Sequence, residues 1–195
     1  MSATPAGPGD VPPALRKLDR SRATLVVVDV QERLYPAMCE REVLAQNVAR
    51  LVRGAALLGV PVVATEQYPK GLGRTIAAIA DALPGSAPRV EKTAFSCMDE
   101  PAFRRALDPA RDQVILTGIE AHVCVLQSGL DLVRAGFAVH VVEDAVASRA
   151  PASRRAGLAR LHAAGAVPST TEMALFELLR GKDDPAFKDV QALVK

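Results

Sequence analysis

With 195 residues, 49% of them hydrophobic, the chain has enough apolar content for one domain with a full core, and no break in composition divides it. Lys and Arg total 24 against 22 for Asp and Glu, and this near balance, with the basic residues dispersed along the chain, argues against a nucleic-acid surface. No apolar run reaches the roughly 18 residues of a membrane span, no leader-like segment opens the chain, and three cysteines without regular spacing fit a reducing cytoplasm better than a disulfide framework.

Residues 1–13, rich in Pro, Gly, Ala and Ser, read as a mobile tail ahead of a single domain over 14–195. Beyond the tail, short β-branched runs alternate with segments of helical period. Strands are expected near 24–30, 61–65, 88–91, 113–118 and 138–142, with a short one near 166–168. Helices are expected near 41–58, 73–81, 99–107, 123–135, 152–164, 170–180 and 185–193. Such alternation implies an α/β fold: a three-layer α/β/α domain, Rossmann-like, around a mostly parallel sheet of about six strands. Pro101 behind Asp99-Glu100 and the box-like Ser169-Thr170-Thr171-Glu172 mark helix starts, while Gly59 and Gly136 mark helix ends.

Chemistry-bearing residues fall at the ends of the expected strands, where open α/β sheets bind ligands. The first strand runs into Asp29, a carboxylate that is costly there unless paired, although a capping or turn role is equally open. The second leads to Glu66, Gln67 and Tyr68, of which Gln67 and Tyr68 are candidate pocket-lining residues. The third leads to Lys92, with Phe95 close behind as a further lining candidate; alone, Lys92 would read as a solvated surface lysine. The fourth, Val114-Ile115-Leu116-Thr117, leads through Gly118-Ile119-Glu120-Ala121-His122-Val123 to Cys124 in the first turn of a helix. A lone cysteine is usually an ordinary buried thiol, but unpaired N–H groups and the positive end of the helix dipole at this position can lower a thiol pKa. His122, two residues earlier, is a candidate for the pocket wall. Asp144 is expected to end the fifth strand and to cap the helix beginning near Pro151 or hold the loop before it. His140 and His162 read as structural, and Cys39 and Cys97 as packing residues, Cys97 the nearer to the pocket. Gly71-Leu72-Gly73 is not a dinucleotide fingerprint and reads as a flexible pocket-edge loop.

The segments LVVVDVQERL, EKTAFS and GIEAHVCV, in this order and at these separations, resemble the isochorismatase-like cysteine hydrolases, from about Thr24 to about Leu179. The resemblance implies an Asp-Lys-Cys triad with Asp29 as general base, Lys92 as the cation that lowers the thiol pKa, and Cys124 as nucleophile. It also implies a cis peptide between Ile119 and Glu120 and an oxyanion hole formed by the backbone N–H groups of Glu120 and Cys124. Metal-dependent nicotinamidases of this superfamily carry an aspartate and two histidines after the second strand; here the sequence is Thr65-Glu66-Gln67-Tyr68-Pro69, so no metal and no cofactor are expected. True isochorismatases lack the nucleophilic cysteine, so Cys124 argues against vinyl-ether hydrolysis, and TEQYPKGLG with GIEAHVCV is similar to the isochorismatase domain-containing branch.

The expected activity is metal-independent hydrolysis of a small amide or related C–N bond through a thioester. The expected partners are a small-molecule substrate and further copies of the chain in a homo-oligomer, with an interface drawn from 173–179 or the helix at 123–134, and no nucleic acid or membrane. Two alternatives belong to other classes: a catalytically idle oligomeric or interaction protein, and a redox-responsive cysteine protein for which Cys97 would act as resolving thiol.

Overall fold

A computed structural model describes residue 15 and residues 17–195 of the chain; the expected tail, 1–13, lies outside the described residues. Six segments form the strands β1 (Ala23–Val28), β2 (Val62–Gln67), β3 (Arg89–Lys92), β4 (Gln113–Ile119), β5 (Ala138–Ala147) and β6 (Val167–Ser169). Between and after them come the helices α1 (Arg41–Leu57), α2 (Pro69–Leu72), α3 (Ala77–Ala80), α4 (Pro101–Ala106), α5 (Cys124–Arg134), α6 (Pro151–Ala163), α7 (Thr171–Leu179) and α8 (Phe187–Val194). The strands pair in the order β3-β2-β1-β4-β5-β6, all parallel, and the order reverses between β1 and β4. Helices cover both faces, giving the expected three layers.

Alternation along each strand feeds two separate cores. Leu25, Val27 and Ile115 pack with Leu44, Val48 and Leu51 of α1 and Leu175 of α7, whereas Val26, Val28 and Leu116 pack with Phe103 of α4 and Val125 and Leu132 of α5. Burying each such side chain contributes about 1.5–3 kcal/mol. This is why the central strands β1 and β4 are buried along their whole length rather than alternating.

The helix starts at Pro101 and Thr171 form as expected: Glu100 accepts from Ala102 N, and the Thr170 hydroxyl accepts from Met173 N. Gly59 and Gly136 follow α1 and α5 with φ of 68° and 92°. Elsewhere tertiary bonds override local pattern. The helix expected over 73–81 shrinks to α3, because Thr75 bridges to Gln31 and gives its N–H to Glu66 Oε1 at 2.8 Å instead of entering a helix. β5 continues to Ala147, so Asp144 does not end it. Asp144 Oδ1 instead accepts from the N–H (2.8 Å) and hydroxyl (3.0 Å) of Thr171, holding the start of α7 rather than the helix at Pro151.

Gly118 sets the spacing at the reversal of strand order. Its φ is 114°, and a Cβ there would lie 2.1 Å from the carbonyl oxygen of Val28, the last residue of β1. Only glycine allows β1 and β4 to approach so closely where both strands end.

Candidate active site

β1 stops at Val28, one residue before Asp29, which turns out of the sheet with φ 52° and donates its N–H to Thr65 O at 3.1 Å. Aspartate tolerates this left-handed conformation better than most residues. The turn buries the carboxylate completely. Its Oδ1 accepts from Thr65 Oγ1 at 2.7 Å and its Oδ2 from Lys92 Nζ at 2.6 Å. Lys92 ends β3 and sits in register opposite Gln67 of β2, and its side chain is as inaccessible as that of Asp29. Burial is the largest single influence and disfavours the ammonium, but the Asp29 charge and hydrogen bond, together with the neighbouring Cys97 and Cys124 sulfurs, outweigh it and hold Lys92 above the ordinary lysine range. Nζ also donates to Gln67 Oε1 at 2.7 Å and lies 3.2 Å and 3.3 Å from the carbonyl oxygens of Ala94 and Phe95.

Cys124 is the first residue of α5, and only 7% of it is exposed. The turn leading to it contains a cis peptide between Ile119 and Glu120, and the Glu120 carbonyl accepts from the N–H groups of Val123 and Val125. The N–H groups of Glu120 and Cys124 donate to no acceptor among the described residues. The Glu120 side chain turns aside to pair with Arg149 Nε at 3.0 Å. From the other side, α6 comes so close that a Cβ on Gly157 would lie 2.4 Å from the Ala121 carbonyl oxygen.

Asp29, Lys92 and Cys124 thus meet at the reversal of strand order, but the ionisation of the thiol differs from expectation. Burial, then the neighbouring Asp29 charge, push the Cys124 thiol up to about 12; Lys92 opposes them, and Asp29 also raises it as hydrogen-bond acceptor. The cation counted on to form a thiolate is already neutralised by Asp29. The thiol is thereby held toward its protonated form, hydrogen-bonded to Asp29.

The other expected residues are distributed differently. Gln67 is half-buried and binds Lys92. Tyr68 and Phe95 are 55% and 53% exposed, so Phe95 is not core. A cleft of about 310 Å³ beside Lys92 is lined by Tyr68, Lys70, Thr93 and Glu100. Half-buried His122 places Nδ1 3.0 Å from Ser148 Oγ. His140 is buried within β5, which pushes its pKa below the ordinary value, and His162 faces Glu143 at 3.3 Å. Cys97 is part of the site's wall: its N–H donates to Ser128 Oγ of α5 at 2.9 Å and its Sγ lies 3.8 Å from Thr65 Oγ1. Burial pushes its thiol up to about 11.

Thr65, Gln31 and Arg149 were not singled out from the sequence. For Thr65 the available signal is a hydroxyl in the apolar run Val62-Val63-Ala64, a position that needs a buried partner. Among the described residues no group of three or more His, Cys, Asp or Glu side chains is placed to hold a metal, and Glu66 spends its oxygens on Thr75 and Arg74. No described helix is long and apolar enough to cross a membrane.

Residues 23–173 match the isochorismatase domain model. The chain is 40% identical to isochorismatase domain-containing protein 2 of Bos taurus over 185 residues, 94% of this chain and 88% of that one. It is 39% identical to isochorismatase domain-containing protein 1 of Danio rerio, covering 93% of this chain but only 64% of the longer relative. Among solved structures, the MAR1 ribonuclease of Caenorhabditis elegans superposes with a TM-score of 0.88 at 38% identity, over 92% of both chains. The YcaC gene product of Escherichia coli, an octameric hydrolase of unknown specificity, superposes with a TM-score of 0.82 at 25% identity, over 91% of this chain and 94% of that one.

Proposed function

The chain belongs to the isochorismatase family of hydrolases, and on that premise we propose that it is a metal-independent cysteine hydrolase of small, uncharged amides or related C–N compounds. The observation that carries the reading is the Asp29 carboxylate, fully buried, held by Lys92 at 2.6 Å and accepting from the neutral thiol of Cys124. In the proposed reaction Asp29 takes the thiol proton as Cys124 Sγ attacks the carbonyl carbon. The free N–H groups of Glu120 and Cys124 receive the oxyanion. Collapse of the tetrahedral intermediate breaks the C–N bond, and Asp29 returns the proton to the leaving amine. Water, deprotonated by Asp29, then hydrolyses the thioester and frees the acid and the thiol.

The charges around the site support an uncharged substrate. Lys92 is committed to Asp29, Arg149 to Glu120, and Arg74 to Glu66 and Glu91. At the buried base of the site, beside Cys124, a carboxylate or phosphate would meet only Lys92, already committed to Asp29, since Lys70 lies on the exposed rim of the cleft; burying it there would cost several kcal/mol, on the order of that for any unpaired buried ion. This weighs against phosphodiester cleavage, the activity in the name of the worm relative, since the scissile phosphate itself would have to enter that buried base. Two neutral, buried thiols likewise weigh against peroxide sensing, which needs an accessible thiolate. Three free cysteines fit work in a reducing compartment.

The test is a panel of neutral primary amides and ureas, with a single-stranded RNA as a further arm, assayed with wild type and Cys124→Ala after prolonged chelation. Hydrolysis of an amide or urea by the chelated wild type, absent in Cys124→Ala, is the expected result. RNA cleavage that survives Cys124→Ala would replace this reading with another.

A further inference from the structure

Gln67 entered as a candidate for the pocket wall, but its bonds run into the protein. Its backbone is gripped from both sides by Gln31, whose side chain is fully buried: Gln67 N donates to Gln31 Oε1 at 2.8 Å, and Gln31 Nε2 donates to Gln67 O at 3.0 Å and Gly73 O at 2.7 Å. With the backbone fixed, Gln67 Nε2 donates to Thr93 O at 2.7 Å. That bond decides which way the amide faces, since a carbonyl accepts only from the nitrogen end. Oε1 therefore points at Lys92 Nζ, 2.7 Å away.

An ammonium has three protons. Asp29 takes one, Gln67 a second, and the carbonyls of Ala94 and Phe95 share the third. Lys92 has none to offer a substrate. It works as a fixed internal counter-ion, and its orientation depends on the acceptor set around it, in which Gln67 supplies the one neutral side chain.

We propose that Gln67 is a positioning residue that seats the Lys92 ammonium on Asp29, and that its amide does not face the substrate. The chain of bonds from Gln31 through Gln67 and Lys92 to Asp29 couples the ends of β1, β2 and β3. The residue must be both donor and neutral acceptor. A carboxylate at 67 cannot donate to Thr93 O and would compete with Asp29 for one cation, adding a negative charge beside Lys92, whose pull on the Cys124 thiol it would weaken. The inference adds to the proposed hydrolase reading, and its test needs no substrate.

The full chain, labelled with ¹⁵N at lysine Nζ, should show one ammonium whose protons exchange slowly with water at neutral pH, assigned to Lys92 by its loss in Lys92→Met. In Gln67→Met that exchange should accelerate at least tenfold while the protein still melts cooperatively. In Gln67→Glu the added charge should raise the thiol pKa. Alkylation of Cys124 by iodoacetamide, followed by peptide mass spectrometry at pH 8, should then slow about tenfold, the equivalent of one pKa unit. Exchange within twofold of wild type in Gln67→Met, or unchanged alkylation in Gln67→Glu, would overturn the proposal. Either variant alone can decide if the other fails to fold. The outcome is independent of the Cys124→Ala hydrolysis assay, so the two readings fail separately.

Discussion

Asp29 acts on Cys124 in two opposing ways, and a single substitution separates them. Its charge and its acceptance of the thiol proton keep Cys124 neutral, whereas Lys92 pulls toward the thiolate. In Asp29→Asn the restraint disappears and the ammonium is left unpaired. The thiol pKa should fall, and alkylation by iodoacetamide, which needs only a thiolate, should become faster. Hydrolysis also needs a proton delivered to the leaving amine and removed from water, so it should fall by about 10²–10⁴. For wild type, a thiol at about 12 means that the thiolate fraction rises tenfold with each pH unit, with no plateau up to pH ~9. Parallel changes of alkylation and hydrolysis in Asp29→Asn, measured side by side, would remove Asp29 from the role of base. The positions of Asp29 and Cys124 could be read from the sequence, because each follows a strand whose apolar run is plain, whereas Lys92 ends the polar edge strand Arg89–Lys92 and stood out only through the family resemblance. The protonation state could not be read, because it depends on whether Lys92 spends its charge on Asp29 or on the thiol, a matter of distances. Gln31 and Thr65 were equally hidden: a polar residue beside a strand end can point to solvent or into the site with the same local pattern.

At the scale of elements, the close approach of β1 and β4 is the feature most exposed to test. Ala at 118 would adopt a positive φ that L side chains rarely take and press its methyl onto the Val28 backbone. Strain and overpacking together predict a loss of roughly 2–5 kcal/mol. Gly85, whose Cβ would meet open space, is the control, with Gly85→Ala expected within about 0.5 kcal/mol of wild type. Chemical denaturation of both compares them directly, and equal stabilities would mean that the strand ends can part without cost. The central strands were legible because buried parallel strands are written as nearly unbroken apolar runs, whereas the edge strands β3 (Arg89–Lys92) and β6 (Val167–Ser169) are short and carry polar residues. The length of β5 was not legible, since Glu143 and Asp144 look like a loop in sequence yet sit within the strand, half-buried. The segment 73–81 misled for the converse reason: its small apolar residues favour a helix, and long-range bonds from Gln31 and Glu66 take its first residues away.

At the scale of the whole molecule, α7 leaves Met173 48% and Phe176 36% exposed, and Phe176 meets Phe187 of α8 edge to face at 6.4 Å. An apolar cluster of this kind is a common contact between subunits, and the bacterial relative YcaC is an octamer. We expect a homo-oligomer that uses this face, although α5, the other expected contact, buries most of its apolar residues inside its own chain. Light scattering at micromolar concentration should return a multiple of 20.6 kDa for wild type and a smaller species for Met173→Glu. A wild-type mass of 20.6 kDa would exclude the assembly.

The reversal of strand order has a consequence for how activity is acquired and lost. Lys92 lies 63 residues from Asp29 along the chain, and β1, which carries Asp29, is bonded to both β2 and β4 in the middle of the sheet. No local piece of the chain holds the reacting groups together, so the site comes into being only when non-local pairing is complete, a late and slow event for a parallel sheet. Integrity of the site is in this sense a readout of global cooperativity: partial unfolding that parts β1 from β4 separates Asp29 from Cys124 before the rest of the core is lost.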